Sequence, residues 1–291
     1  MITVSLVQPN FRTGGNSFAG YWLPYSIGCV YSYSAFGDFQ DQLELNQIIF
    51  RRENTVTASD NMVGDDIVLF SNFMWNWEYN KELAKELKAK SPDTIIIFGG
   101  PEVDENFPER QLKELPYVDI LMISEGELSF NKFLHEYTAD MQYDKIYSAN
   151  RVDDLDIPSP YLTDVFKNII DDNPDIRWST TLETNRGCPF SCTFCDWGSA
   201  TASKLNRFDV DRLFKEVDWF AEQKIEFIFC CDANFGILPR DVDIAQYVAD
   251  TKENSGFPHA LSVQNTKNAT ERAYQTQKIL NTAGLNKGVT I

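Results

Sequence analysis

Histidine, positive charge and long apolar runs are all scarce in this chain. It holds two histidines, His135 and His259, and 26 Lys+Arg against 43 Asp+Glu, a net charge of -17 over 291 residues. That excess of negative charge repels phosphate backbones and anionic lipid, and no stretch gathers basic residues into a patch, so no nucleic-acid partner is expected. No run approaches the apolar length of a membrane span, and the start, "MITVSLVQPNFRTGG", lacks the basic and apolar regions of a signal peptide. A cytoplasmic protein without a membrane span is the expectation. A secreted disulfide framework is missing too. Of six cysteines, Cys188, Cys192 and Cys195 are clustered and Cys230 and Cys231 adjacent, a distribution that suits metal or redox chemistry in a reducing compartment.

Hydrophobic residues make up 43% and aromatics 13%, enough for substantial cores, and the length suggests two domains. Five short apolar runs punctuate the first 125 residues: "ITVSLVQ", "QLELNQIIF", "DDIVLFSNF", "TIIIFGG" and "VDILMIS". Between the third and fourth, Leu83 and Leu87 share one face of a charged helical stretch, which makes a βαβ crossover and hence a parallel sheet. A helix over about 17–36 and another in "GELSFNKFLHEY" extend the alternation, while 51–66 shows little helical period. The fold class is therefore α/β, with a doubly wound Rossmann-like domain over 1–145. Residues 146–177, dense in Asp and Pro, read as a linker. From 178 to 291 a strand, helix, strand, helix pattern begins a β/α barrel, in which Leu213, Val217 and Phe220 form one helical face.

Ligands of parallel sheets bind outside the carboxyl ends of the strands, so the turns there matter most. They read "SNFMWNWE", "GGPEV" and "SEGE". Gly99 and Gly100 would let backbone approach a flat ligand, and Trp75, Trp77 and Phe73 would pack against its face. The plain alternative is a Gly-Gly-Pro turn beside tryptophans that cap a core. In the second half, "CDANFG" falls at a strand end. There Asp232 and Asn234 either hydrogen-bond a polar ligand or, for Asp232, cap the next turn.

"TNRGCPFSCTFCDWG" sets three cysteines in a C-x3-C-x2-C spacing inside one turn-rich loop. A 4Fe-4S cluster ordinarily takes four thiolates, so three leave one iron open to a ligand. A structural zinc site using these thiols plus Cys230 or Cys231 is the competing reading, but zinc ribbons pair C-x2-C knuckles. Cys230 and Cys231 are adjacent strand positions pointing to opposite faces, which suits packing better than ligation.

This spacing resembles the signature of the radical SAM superfamily, and the loops of the first half resemble the cobalamin-binding domain of its B12-dependent members. The resemblance implies Cys188, Cys192 and Cys195 on a 4Fe-4S cluster, with Phe194, Asp232 and Asn234 beside S-adenosylmethionine. It implies Ser71, Asn72, Trp75, Gly99, Gly100, Pro101, Glu125, Gly126 and Glu127 about cobalamin. One departure is that neither His135 nor His259 sits in the Asp-x-His-x-x-Gly motif that supplies a histidine ligand, so any cobalamin is expected without one, and His135 reads as an ordinary helix histidine. The implied activity is cleavage of S-adenosylmethionine to a 5'-deoxyadenosyl radical, with methylation at an unactivated carbon, fed by a reductant protein. The substrate is not legible. About four barrel strands are expected where such barrels have six, so either a second polypeptide completes the barrel or the chain is shortened. A non-catalytic cobalamin or iron-sulfur binding protein is the alternative.

Overall fold

The computed structural model describes residues 1–13, 19–140, 142–190, 192–193, 204–266 and 270–286. Two compact units emerge, one of 1–152 with 158–173, the other of 153–157 with 174–291.

In the first unit the apolar runs become strands β1 (Ile2–Asn10), β3 (Leu43–Arg51), β4 (Ile67–Ser71), β5 (Ile95–Gly99) and β6 (Ile120–Ile123). They join β7 (Ile146–Ser148) in a six-stranded parallel sheet of order β3-β1-β4-β5-β6-β7. The chain leaves β1 for β3 on one side and returns to β4 on the other, so the topological switch point lies between β1 and β4. Helices α2 (Thr55–Asp60) and α3 (Trp77–Lys90) lie together, and their Ala58, Leu83, Ala84 and Leu87 join Val7, Phe70 and Phe98 of the sheet in one buried cluster. Full burial of Leu83 and Leu87 contributes about 2 kcal/mol each, which is why that helical face was readable. Helices α1 (Tyr25–Ala35) and α5 (Gly126–Asp140) pack on each other, and α4 (Pro108–Glu114) lies beside β6.

Three expectations are corrected. The helix over 17–36 is shorter: Ala19–Trp22 is a strand, β2, and Gly20 exchanges two backbone hydrogen bonds with Thr13. Pro24 then starts α1, its fixed φ suiting the entry to a helix. The crossover over 51–66 is helical after all, because Asn54 accepts from the backbone N–H groups of Val56 and Thr57 and caps α2. The stretch read as a linker contains β7 and a short helix, α6 (Lys167–Asp171), and 158–173 is folded into the first unit: Tyr161 stacks on Tyr25 at 5.4 Å and Phe166 lies over Gly28.

In the second unit β8 (Ile176–Leu182), β11 (Phe227–Cys230) and β12 (Ala260–Ser262) run parallel, β11 between the other two. α7 (Val210–Glu222), α8 (Arg240–Ser255) and α9 (Glu271–Thr282) follow in alternation, and Leu213, Val217 and Phe220 of α7 are buried as expected. A two-residue ladder of β9 (Asn185–Arg186) with β10 (Asn206–Arg207) interrupts it. The expected fourth strand at 285–291 lies outside the described residues beyond Asn286. No helix among the described residues is long and apolar enough to cross a membrane.

Candidate functional site

The cysteine loop leaves the carboxyl end of β8 and returns through a narrow neck. There Asn185 and Arg186 pair with Arg207 and Asn206, and the N–H of Phe208 donates to the carbonyl of Thr184. Gly187 sits at the neck with φ +107, and a Cβ on it would lie 2.3 Å from the carbonyl oxygen of Lys204. Only glycine permits that crossing of backbones.

Two side chains from the adjacent strand end reach this neck. Asp232, just after β11 and 1% exposed, accepts from the backbone N–H groups of Thr184 (2.8 Å) and Asn185 (3.2 Å), the Thr184 hydroxyl, and Asn185 Nδ2 (2.7 Å). Burial pushes its carboxyl up to about 7, against the pull of those hydrogen bonds. Both oxygens are thus engaged within the fold. Rather than capping its own turn, Asp232 ties the start of the cysteine loop to the end of β11. Arg240 completes the tie, donating to the carbonyls of Thr184 and Phe208. Thr184, Asn185 and Arg240 were not singled out by sequence reasoning; the first two open the quoted cysteine stretch, whereas nothing near Arg240 marked it.

Asn234 faces Cys188. Its Nδ2 donates to Cys188 Sγ at 3.1 Å, with Asn234 4% and Cys188 7% exposed. Its Oδ1 is buried without a hydrogen-bond partner among the described residues. Cys192 is half-buried, while Phe194 and Cys195 lie outside the described residues. Among the described residues no three His, Cys, Asp or Glu side chains converge as metal ligands. Cys230 is fully buried and its thiol is pushed well up by burial; that of Cys231 is pushed up to about 12, again chiefly by burial. Both stay protonated at neutral pH, consistent with packing residues.

At the carboxyl ends of the first sheet, the residues of the expected cobalamin site divide. Asn72 is fully buried: its Nδ2 donates to the carbonyls of Phe70 and Gly99, and its Oδ1 accepts from Asn80. Gly100 has φ +96, and a Cβ there would lie 2.7 Å from the Asn72 carbonyl, so its bareness serves the fold itself. Gly126 abuts Val30 of α1, Glu125 receives Arg151 Nε and the N–H of Val152, and Glu127 is 3% exposed. Ser71 lies 3.4 Å from the Ser26 hydroxyl. Open towards solvent are Pro101 and Trp75, and Gly99 is half-buried. A Cβ on Gly99 would meet only Met122 atoms at 3.6–3.7 Å, ordinary contact.

Trp75 stacks on Phe73 at 4.5 Å, meets Phe11 edge-on, and donates its indole N–H to Asn10 Oδ1, forming an aromatic cluster at the β1/β4 switch point. The turn that presents it is held by Asn76 and Asn80, which sequence reasoning missed. Asn76 donates to the carbonyls of Pro9 and Ser71 and accepts from the N–H of Phe73; Asn80 also donates to Ser71. Trp77 instead packs against the buried cluster, edge-on to Phe98. His135 is a surface residue 3.1 Å from Asp38.

No family model matches the chain. It is 36% identical, over 93% of its length, to the cobalamin-dependent radical SAM methyltransferase TokK of Streptomyces tokunonensis. It is 34% identical, over the same share, to a 2-(S-pantetheinyl)-carbapenam-3-carboxylate methyltransferase of Streptantibioticus cattleyicolor. The chain spans 42% of the length of each of these curated relatives. Among solved structures, the radical S-adenosylmethionine methyltransferase TsrM of Kitasatospora setae, with cobalamin and a 4Fe-4S cluster bound, superposes with a TM-score of 0.59 at 12% identity. That match covers 98% of this chain and 68% of that one, and shows a shared fold. With its identity to TokK and the C-x3-C-x2-C loop at the end of β8, the chain belongs to the cobalamin-dependent radical SAM family.

Proposed function

We propose that this chain provides the cofactor-holding part of a cobalamin-dependent radical SAM enzyme that methylates an unactivated carbon. The observation that carries the reading is the Asn234 amide donating to the buried Cys188 sulfur in a C-x3-C-x2-C loop, in a relative of TokK. That arrangement suits a cluster ligand: a metal-bound thiolate can accept hydrogen bonds, and the Asn234 amide offers one. When bound, a 4Fe-4S cluster with S-adenosylmethionine supplies a 5'-deoxyadenosyl radical, and cobalamin supplies a methyl group.

Cys188, Cys192 and Cys195 are the proposed cluster ligands. Asp232 and Arg240 hold the backbone at Thr184 and so fix where that loop begins. The buried, unpartnered Oδ1 of Asn234 is an acceptor for a polar group of S-adenosylmethionine, with Phe194 expected beside it. In the first unit, Gly99, Pro101 and the Trp75 cluster form an open, largely apolar floor for the corrin, which is expected to carry no protein histidine on its cobalt. A reductant protein and a substrate of unassigned class complete the reaction.

The test is the EPR spectrum of anaerobically reconstituted, dithionite-reduced protein with and without S-adenosylmethionine. A 4Fe-4S signal that shifts on addition supports the reading. A signal indifferent to it would leave a binding protein without radical chemistry, and zinc in place of iron would overturn the cluster altogether.

A further inference from the structure

We infer that Asn234 sets the reduction potential of the cluster through a hydrogen bond to the sulfur of Cys188. The inference rests on the proposed role of Cys188 as a ligand, and goes beyond it in giving Asn234 an electronic task.

The geometry is specific. Asn234 Nδ2 stands 3.1 Å from Cys188 Sγ, and both residues are more than nine-tenths buried, so no bulk water competes for the sulfur. The amide is aimed by its backbone: the next residue, Phe235, donates its N–H to the carbonyl of Gln264 at 2.7 Å and accepts from the N–H of Thr266 at 3.0 Å. On the other side, Asp232 grips Thr184 and Asn185, so one strand end fixes both the root of the cysteine loop and the donor to its first sulfur. A carboxamide has an acceptor end and a donor end. Here it turns its nitrogen to the sulfur and leaves Oδ1 without a hydrogen-bond partner among the described residues, while the Cys188 sulfur also lies 3.9 Å from the carbonyl oxygen of Phe190. Once Cys188 has given up its proton to bind iron, the same donor already stands against its sulfur.

A hydrogen bond to a cluster sulfur stabilises the more negative, reduced state and raises the potential. In a buried site of low dielectric the effect is larger than in water. Asn234 is therefore a positioning and tuning residue, acting through Cys188 on the ease with which the cluster accepts an electron.

The experiment is an EPR-monitored potentiometric titration of the reconstituted full chain, compared with Asn234→Leu, which keeps the bulk without the donor, and Asn234→Asp, which puts a carboxylate against the sulfur. Iron and sulfide are counted for each. The expected result is equal cluster content, a lower midpoint potential for Asn234→Leu, and a lower one still for Asn234→Asp. Equal cluster content with coincident potentials overturns the inference while leaving the cysteine ligands in place. No cluster in the unaltered chain removes the ligand reading and the inference with it. Should the variants fail to fold, the unaltered chain still decides: with 15N-labelled asparagine, pulsed EPR of the reduced cluster should show a coupled nitrogen and a proton that exchanges in deuterium oxide. Absence of both overturns the inference.

Discussion

Both units end parallel strands in loops that carry the candidate chemistry, but they hold those loops by different means. In the first, Asn72, Asn76 and Asn80, all fully buried and uncharged, tie the turns after β4 and β5 to neighbouring carbonyls. In the second, a buried carboxyl and a half-buried guanidinium, Asp232 and Arg240, do the same for the root of the cysteine loop. Amides are cheaper to bury than ions and do not titrate, so the first arrangement should be indifferent to pH. Ionic bracing couples the second to protons, which bears on a unit whose proposed cargo is charged.

The comparison breaks most severely at the backbone, where the kind of brace is irrelevant. Gly100→Ala and Gly187→Ala each force a Cβ into a carbonyl, at 2.7 and 2.3 Å, at a positive φ. Each should cost about 3 kcal/mol or more of unfolding free energy, by urea titration, with no difference between the two in pH dependence. A cost near zero for either would mean that its turn is not built as described.

Next in size is Asn76→Leu. It leaves the carbonyl of Pro9 and the N–H of Phe73 without this partner, and the Ser71 carbonyl with Asn80 alone. A loss of about 2 kcal/mol, the same at acid and neutral pH, is expected from orphaned buried groups. A pH-dependent loss would erase the distinction between the two units.

Asp232→Asn tests the ionic side. Unfolded, the carboxyl titrates near its ordinary 3.8; in the fold it keeps its proton until about 7. Between these values the native state binds more protons than the unfolded one, so this contribution is full below the lower value and is lost as pH rises through the upper. At about 1.4 kcal/mol per pH unit, the unaltered chain should lose about 2 kcal/mol from this group between pH 5 and pH 7, and Asp232→Asn should flatten that slope. A parallel slope in both proteins would show that the carboxylate is ionised throughout.

The sequence made some of this legible and concealed the rest for physical reasons. Strands of a parallel sheet are buried on both faces, so β1, β4, β5 and β6 stand out as apolar runs bounded by polar turns. β7 has three residues and owes its existence to pairing with β6, which no local pattern announces. Tyr161 and Phe166 were hidden in an Asp- and Pro-rich stretch because their partners, Tyr25 and Gly28, lie far away in sequence. The cysteine spacing is local and so was readable. The duties of Asp232 and Asn234 were not, because they depend on the register of β11 against β8, which sets Cys230 beside Leu182.

The smallest expected effect on stability is the most informative about ligands. Gly99 and Gly100 look alike in sequence, yet Gly100 is required by the backbone of Asn72, whereas a methyl group on Gly99 meets only ordinary contacts. Nothing among the described residues demands that Gly99 be bare, and the end of β5 with its open, half-buried surface offers an external reason: the close approach of a flat ligand. Gly99→Ala should therefore change unfolding free energy by less than about 0.5 kcal/mol, since it adds neither strain nor collision. The same variant should retain less cobalamin after gel filtration, read from the corrin absorption band. If it folds normally and retains cobalamin fully, the corrin does not rest on Gly99, and the bare position belongs to strand geometry that any small residue would satisfy.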